Sequence, residues 1–555
     1  MNQEKSILTP WQRFLGLLRL EKKDVFQVIY YAVFGGLINL TLPLGIQAIV
    51  NLIGGAQMST SWIVLVTLVT LGVAFVGVLQ LMQMRIIETL QQRIFMRASF
   101  EFTYRFPKIR MDQLYNYYPP ELANRFFDIL TVQKGLAKLL LDVPAAVLQI
   151  AFALILLSFY HPFFIAFGVL LIILIYVVFK FTIQRGMDTS LVESKRKYIV
   201  AHWIQEVARS IMSFKLSGKT SLALDKNDKL VNDYLGAREG HFKILILQVV
   251  QMIGFKVLVT AGLLIIGGLL VLNQEMNIGQ FVAAEIIILL VINSVERLIL
   301  GLESFYDVLT SLEKMGQVVD KEIEPQTGEP IVIDDDFKIE LESVTYDVPG
   351  RSLPILEDIS FKIDSKSRIL IQGESGSGKS TLLRIISGIL KPTKGRVFLN
   401  NTAISNLNLN SYRSNLGMVL SDETPFEGTI KENLTLGDDS ISSTRINDVL
   451  DLLGLTDYLK ETELGLSTVI YPEGKQIPFT VAKKIILGRA ILKQPKVLIL
   501  EEPLEHFEIP EANKIIEYLT DKEHPWSLIV VSFNKDWSTC CSQVIHLKRG
   551  KIEKA

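Results

Sequence analysis

The chain has 555 residues, too many for one ordinary hydrophobic core, so its length favours two or more domains. Its formal net charge is −1, which gives no basis for a nucleic-acid partner. Hydrophobic residues make up 49% of the chain, a high fraction for a soluble protein, and they are concentrated between Val25 and Leu300. The two cysteines, Cys540 and Cys541, are adjacent and exclude a disulfide framework.

The first predicted element is an amphipathic helix within residues 1–23. Thr9 is a suitable N-cap, and Pro10 suits a first helical position. An apolar stripe at helical spacing follows among basic residues, formed by Trp11, Phe14, Leu15 and Leu18. This pattern predicts an elbow helix that lies in the inner membrane interface, the alternative being an ordinary surface helix.

Residues 24–310 contain six apolar stretches, each about as long as the 20 residues that a helix needs to cross a bilayer. They cover residues 25–50, 62–82, 143–160, 162–181, 255–272 and 278–295. The short links after the first, third and fifth stretches contain no Lys or Arg, whereas the long links after the second and fourth contain many. Because positive residues stay inside, the pattern predicts six crossings with both chain ends in the cytosol.

The two long, basic links are regular enough to continue the spans as helices into the cytosol. A Pro-Pro break at Pro119–Pro120 predicts a short transverse helix over Pro119–Ile129 at the tip of the first hairpin. A second contact segment is expected around Ser213–Leu222. Both are expected to touch a cytosolic domain.

A polar linker with two prolines, assigned to residues 311–335, precedes an alternating pattern of strands and helices over residues 336–555. Here "GESGSGKST" follows a predicted strand and opens a helix, which matches the phosphate-binding P-loop pattern in its required context. Its nine residues are the expected ATP-binding residues: Gly373, Glu374, Ser375, Gly376, Ser377, Gly378, Lys379, Ser380 and Thr381. Backbone N–H groups would surround the phosphates, Lys379 would meet the β/γ groups, and the Ser380 hydroxyl would face Mg²⁺.

The partner carboxylates are expected at the end of a later buried strand, "KVLILEEP", which supplies Glu501 and Glu502. Together with the six spans and the terminal "VIHLKRGKIEKA", these motifs resemble an ABC exporter half-transporter over essentially the whole chain. "NRFFDILTVQKGLAKLLLD" and "YHPFF" are similar to the type I secretion and bacteriocin-exporter branch. The resemblance implies a multidomain protein: an all-α six-helix transmembrane domain followed by an α/β P-loop nucleotide-binding domain, in the bacterial inner membrane.

The resemblance also implies residue roles. Glu501 stands at the Mg²⁺-side acidic position together with Ser380, and Glu502 stands at the general base. Four other positions depart from the family pattern. The stacking aromatic falls at Val348, with Tyr346 close by; the γ-phosphate-sensing glutamine falls at Ser421; the switch histidine falls at Phe533; and the signature loop falls at Ile477–Val481.

These departures predict a cassette that binds ATP but hydrolyses it weakly or not at all. In the family two cassettes enclose two nucleotides, so a homodimer would combine the defects twice, and a heterodimer would still leave neither site complete. Each lost transition-state hydrogen bond is typically worth about 2.7–4 kcal/mol. The first hypothesis is therefore an exporter subunit moving a peptide, protein or lipid-like cargo. The second is a catalytically inactive regulatory or scaffold subunit. No kinase catalytic-loop or GTP-recognition motif supports a third.

Two further residues carry open alternatives. His506 is expected to be a surface or interface histidine, with replacement of the missing switch histidine as the alternative. Glu285 lies inside the sixth span, where an ionisable group usually faces a cavity or a partner. It is either a cargo-path or proton-sensitive group or a buried structural hydrogen-bonding group.

Overall fold

The structure is a computed structural model that describes residues 8–54, 60–329, 331 and 337–553. The chain divides into two compact units. The helical unit comprises Met1–Pro107 and Asn116–Lys321, and the cassette unit comprises Lys108–Tyr115 and Glu322–Ala555. The cassette unit is therefore assembled from two separate stretches of the chain.

The helical unit is built from long helices. In chain order they are α1 (Pro10–Leu20), α2 (Lys22–Asn39), α3 (Thr41–Gly54), α4 (Thr60–Arg105), α5 (Pro119–Ala123), α6 (Asp128–Ser158), α7 (Phe163–Arg209), α8 (Ile211–Leu216), α9 (Leu222–Leu272) and α10 (Ile278–Val319). The first predicted span is divided into α2 and α3 at Leu40. Pro43 explains the division, because its ring excludes the carbonyl of the residue four positions earlier.

Six helical stretches among the described residues are long and apolar enough to cross a membrane, which confirms the predicted number. They are Lys22–Gly54, Thr60–Lys108, Pro119–Ser158, Phe163–Arg209, Leu222–Leu272 and Ile278–Val319. Most of their apolar surface remains exposed in the single chain, except in the last stretch, where half of the most apolar window is buried. Because exposed apolar helices are stable in lipid rather than in water, this surface fits a bilayer.

Close helix contacts in this unit depend on small residues. Gly186 of α7 faces Tyr306 of α10, whose side chain is fully buried. The Tyr306 hydroxyl accepts a hydrogen bond from Gln248 Nε2 at 3.0 Å. A Cβ atom at Gly186 would lie 2.3 Å from Tyr306 Cζ, so the glycine is what lets the ring fill this space.

Replacing Gly186 with alanine should therefore destabilise the helical unit, because overpacking a tight core contact costs about 1–3 kcal/mol. The expected result is a lower unfolding temperature for the purified protein in lipid, measured by intrinsic fluorescence. Gly236→Ala is the matched control, since a Cβ at this helical glycine meets nothing within 4 Å. That variant should be as stable as the parent or slightly more so, because alanine favours helix. Equal effects of the two substitutions would contradict the packing argument.

The predicted N-terminal helix is present as α1 and starts with the expected cap. The Thr9 hydroxyl accepts from the Gln12 N–H at 3.3 Å. Part of its apolar stripe packs against protein: the Phe14 ring lies 5.8 Å from the Phe305 ring of α10. Trp11 remains half-exposed, so a location at the membrane interface stays a prediction for this helix.

The tip of the first hairpin differs from the expected helix over 119–129. The structure has the five-residue α5, a 3₁₀ turn over Asn124–Phe127, and then α6. Earlier in the chain, Lys108–Tyr115 belongs to the cassette unit, and there the Arg110 N–H donates to the Glu322 carbonyl at 3.0 Å. Around the second expected segment, Ser213–Leu222, the structure has the helix α8 (Ile211–Leu216). Contact of either expected segment with the cassette stays a prediction.

The cassette unit alternates strands and helices. Its first half contains β1 (Ile339–Tyr346), β2 (Leu356–Ile363), β3 (Arg368–Gln372), α11 (Lys379–Ile386), β4 (Lys394–Leu399), β5 (Thr402–Ala403), α12 (Leu409–Ser414), β6 (Leu416–Val419), β7 (Gly428–Thr429) and α13 (Ile430–Thr435). Its second half contains α14 (Ser443–Leu452), α15 (Thr456–Glu461), β8 (Val469–Ile470), α16 (Phe479–Leu492), β9 (Val497–Glu501), α17 (Ile509–Thr520), β10 (Ser527–Val531), α18 (Asp536–Cys540), β11 (Gln543–Lys548) and β12 (Lys551–Ile552).

The central sheet has six strands in the order β12-β11-β3-β10-β9-β6, parallel except for the edge strand β12. Both faces of this sheet are buried. In β3, Leu370 belongs to one hydrophobic core, while Ile369 and Ile371 belong to the other. This alternation explains why the strands appear in the sequence as continuous apolar runs. A second, antiparallel sheet has the order β2-β1-β4-β5.

Candidate functional site

The predicted site residues meet at the carboxyl edge of the central sheet. Strand register places Ile371 of β3, Val531 of β10 and Glu501 of β9 side by side. The residues that follow these strands therefore lie close together, as expected at the carboxyl ends of parallel strands. They are the glycine-rich loop after β3, Phe533 after β10 and Glu502 after β9.

The glycine-rich loop has a backbone that side chains would obstruct. Gly376 and Gly378 have φ values of +80° and +103°. A Cβ atom at Gly378 would lie 2.7 Å from Leu356 Cδ2, and one at Gly373 would lie 2.1 Å from the Leu547 carbonyl oxygen. Glycine is thus required for this path, which ends at the N-terminus of α11, where backbone N–H groups can face an anion.

Lys379 is held in this loop by neutral acceptors. Its Nζ donates to the carbonyls of Gly373 and Glu374 at 2.7 and 2.8 Å, and it lies 5.2 Å from the centre of the Phe533 ring. Burial lowers the pKa of the Lys379 ammonium, while Glu502 and Glu501 oppose that shift. No carboxylate among the described residues forms an ion pair with it, so the cation fits an incoming anionic phosphate.

Ser380 and Glu501 form the polar pair predicted for the metal side. The Ser380 hydroxyl donates to Glu501 Oε1, and the Ser421 N–H donates to Glu501 Oε2 at 3.3 Å. Within the described ranges no group of three or more His, Cys, Asp or Glu side chains could hold a metal ion. One hydroxyl and one carboxylate fit Mg²⁺, which takes its other ligands from phosphates and water.

Glu502 has both carboxylate oxygens engaged. Oε2 accepts from the Ser532 hydroxyl and Oε1 from the Phe533 N–H, each at 3.0 Å. Burial raises the pKa of Glu502, and these two hydrogen bonds oppose the rise. The residue has a φ of +43°, which few non-glycine residues adopt. A carboxylate is therefore present where a general base would act, but it is hydrogen-bonded to the end of β10.

Two positions expected to contact nucleotide lack the groups for the expected contact: the side chain of Phe533 cannot hydrogen-bond, and that of Val348 is not aromatic. Phe533 is 68% exposed, and its apolar ring stands beside Lys379. Val348 is only 5% exposed, so it offers no surface on which a base could stack. Tyr346, one side-chain repeat earlier, is the last residue of β1 and is partly buried.

The segment at the signature position has a bulky, exposed front. Pro478 is the residue before α16. Phe479 is the first residue of α16 and is 51% exposed. The Phe479 ring lies 5.5 Å from the ring of His506. His506 is exposed and makes its described contacts with Phe479 and Glu505, which agrees with a surface or interface residue.

The remaining predicted residues lie in the glycine-rich loop, at the start of α11 and on α10. Glu374, Ser375 and Ser377 complete the loop, with Ser377 buried and the other two exposed, and Thr381 lies in the first turn of α11. Glu285 is partly buried on α10 and forms no ion pair with the described part of the chain.

Two residues of the site were missed by the sequence reasoning. Ser532 holds Glu502, and Lys483 donates from Nζ to the Ser421 carbonyl at 2.6 Å. Ser532 immediately precedes the expected switch position. Lys483 lies four residues after Phe479, so the sequence indicated only that these two side chains share one face of a helix.

Comparisons with known proteins agree with this geometry. The family model described as ABC transporter matches residues 356–505. The solved structure of a bacterial Atm1-family ABC exporter with ATP bound superposes with a TM-score of 0.83 at 16% identity, covering 96% of this chain and 94% of that chain. At that identity the likeness is one of fold, and it confirms the predicted fold class.

The curated relatives match a smaller share of this chain than the solved structure does. A Rickettsia bellii protein named as a candidate export ATP-binding/permease protein is 26% identical over 64% of this chain and 62% of its own length. The ATP-dependent lipid A-core flippase of Burkholderia orbicola is 26% identical over 50% and 47%, respectively. The alpha-hemolysin translocation ATP-binding protein of Escherichia coli O157:H7 is 26% identical over 55% and 43%. The chain thus matches less than two thirds of the length of each.

Proposed function

Because the chain joins an ABC transporter domain to the fold of an ABC exporter, we propose that it is one half of an exporter that binds Mg²⁺–ATP. The observation that carries this proposal is Lys379, a cation whose hydrogen bonds within the described residues go to two carbonyl oxygens in a loop that requires glycine. The loop Gly373–Thr381 would surround the phosphates. Ser380 and Glu501 would hold Mg²⁺, which neutralises phosphate charge when bound.

We further propose that the chain hydrolyses ATP weakly or not at all. Phe533 cannot donate a hydrogen bond to a γ-phosphate oxygen or to an attacking water, and Ser421 is too short to replace a glutamine. The Glu502 carboxylate is already engaged by Ser532 and the Phe533 N–H. A site that binds ATP but lacks groups that stabilise the transition state is occupied by ATP without hydrolysing it quickly.

In this proposal the exporter is a dimer in a bacterial inner membrane, formed with a second copy or with another half-transporter. Both chain ends face the cytosol, since the basic links lie on that side. Cassette closure on ATP is coupled to outward movement of a peptide, protein or lipid-like cargo. The names of the relatives, one a lipid flippase and one a toxin translocation protein, support that range of cargo.

A second candidate is a regulatory or scaffold subunit that binds nucleotide without hydrolysis and leaves transport to another pump. The specific observation in its favour is the front of α16, where Pro478 lacks an N–H and the exposed Phe479 ring blocks close approach to a partner's nucleotide.

ATP turnover by the purified chain in lipid tests weak hydrolysis. We expect saturable ATP binding, with phosphate release no faster than that of the Glu502→Gln variant, because the other transition-state contacts are missing. Turnover at ordinary transporter rates that Glu502→Gln abolishes would contradict the proposal. Absence of ATP binding in the parent protein would contradict the nucleotide site itself.

A further inference from the structure

Two positions that depart from the ABC pattern, Phe479 and Ser421, are joined by one row of contacts that reaches the metal side of the site. The Phe479 ring, in the signature segment, lies 5.5 Å from Lys483 Nζ, one helical turn further along α16. Lys483 Nζ donates to the Ser421 carbonyl at 2.6 Å. The N–H of the same serine donates to Glu501, which also accepts from Ser380.

Lys483 is an unusual residue for its surroundings. Its side chain is 3% exposed, and lysine is rarely buried this far unless its charge is satisfied. The neighbouring carboxylate, Glu423, is paired with Arg489 at 2.7 Å instead. The described hydrogen bond of the ammonium is the one to the Ser421 carbonyl. A costly buried charge is thus directed at one backbone group beside the nucleotide site.

Ser421 explains why that backbone group matters. Its own side chain is too short to reach across the site, and its N–H is the group that contacts Glu501. The direction of this N–H therefore sets the position of one oxygen of the metal-side carboxylate. The N–H and the carbonyl of Ser421 belong to the two peptide groups on either side of its Cα, so a donor that holds the carbonyl restricts the backbone rotations that set the N–H direction.

We propose that Lys483 is a positioning residue for the Mg²⁺ side of the site: its ammonium fixes the Ser421 segment so that the Ser421 N–H holds Glu501 beside Ser380. This inference rests on the proposed binding of Mg²⁺–ATP. It adds a route by which movement at the front of α16, where Phe479 is exposed, changes the affinity for Mg²⁺.

The test compares binding of a fluorescent ATP analogue to the full chain in lipid, with EDTA and along a Mg²⁺ titration. In Lys483→Met the Mg²⁺ concentration for half-maximal enhancement should rise about tenfold, the effect of losing one charge-assisted hydrogen bond. Affinity in EDTA should stay within about twofold, because the phosphate loop is untouched. Lys483→Arg, which keeps a charged donor, should recover most of the Mg²⁺ response.

Lys484→Met is the matched control, since Lys484 is the next residue of α16 and pairs with Glu511 rather than with Ser421. It should leave the Mg²⁺ titration unchanged. Equal losses with and without Mg²⁺, or the same shift in Lys484→Met, would show a purely structural role and overturn the proposal. Should Lys483→Met fail to fold, Lys483→Leu, which also lacks a donor, takes its place under the same criteria. If the parent protein binds the analogue and Lys483→Met shows an unchanged Mg²⁺ response, only this inference fails; if the parent does not bind, the proposed function fails as well.

Discussion

Replacing Lys379 with alanine should abolish ATP binding. Lys379 is the cation proposed to meet the phosphates, and its Nζ now donates to two carbonyl oxygens that a phosphate would replace as partners. Removing a charge-assisted contact to a multiply charged ligand from a partly buried site should weaken affinity by about a hundredfold or more. Equilibrium binding of a fluorescent ATP analogue to the purified chain measures the loss.

Lys551→Ala provides the control for a general effect of removing positive charge. Lys551 belongs to the same unit, but it is exposed and pairs with Glu357 at 3.1 Å. Its removal should leave affinity unchanged, and both variants should unfold at the temperature of the parent. Retained affinity in Lys379→Ala would show that nucleotide binds elsewhere on the chain.

Introducing the residues that the resemblance to ABC exporters implies at five positions should create ATP hydrolysis in this chain. The restored variant combines Ser421→Gln and Phe533→His with the three signature substitutions Pro478→Ser, Phe479→Gly and Thr480→Gly. We expect phosphate release to rise by about 10² or more, since each recovered transition-state contact is worth roughly 10²–10³ in rate. The measurement is the rate of phosphate release from ATP by the variant and by the parent protein, both in lipid.

Adding Glu502→Gln to the restored variant should return the rate to that of the parent. This control separates gained catalysis from contaminating activity, because it removes only the carboxylate proposed as the general base. A restored variant that binds ATP but stays inactive would mean that hydrolysis is limited by something other than these five positions. One candidate cause is the engagement of Glu502 by Ser532.

The phosphate loop and the six apolar stretches could be predicted from sequence because both are local signals. The loop follows from the spacing of Gly373, Gly378 and Lys379 between a strand and a helix, and the spans follow from runs of apolar residues. The positions of Ser421, Phe533 and Glu502 at one sheet edge also follow from sequence, since each lies within two residues of the end of a parallel strand.

Contacts between distant residues were not predictable in the same way. Nothing near Lys483 in sequence indicates that its ammonium meets Ser421, 62 residues earlier. Likewise, the Pro-Pro break marked the start of a helix, α5, but nothing in the sequence indicated that Lys108–Tyr115, before the break, belongs to the cassette unit. Such contacts depend on the tertiary fold and cannot be predicted from local patterns in a single sequence.

Because the cassette unit contains residues from two separate stretches of the chain, the boundaries of a fragment for biochemical work are restricted. Ile109 forms a β-bridge with Ile323, and the Glu324 N–H donates to the Lys108 carbonyl at 2.7 Å. A fragment that begins at the proline-marked linker would lack the strand partner of Ile323 and the Arg110 side chain that pairs with Glu322. Such a truncation leaves the backbone groups of Ile323 and Glu324 without these partners. A cassette fragment that keeps the contacts has Lys108–Tyr115 supplied in trans or grafted before residue 322.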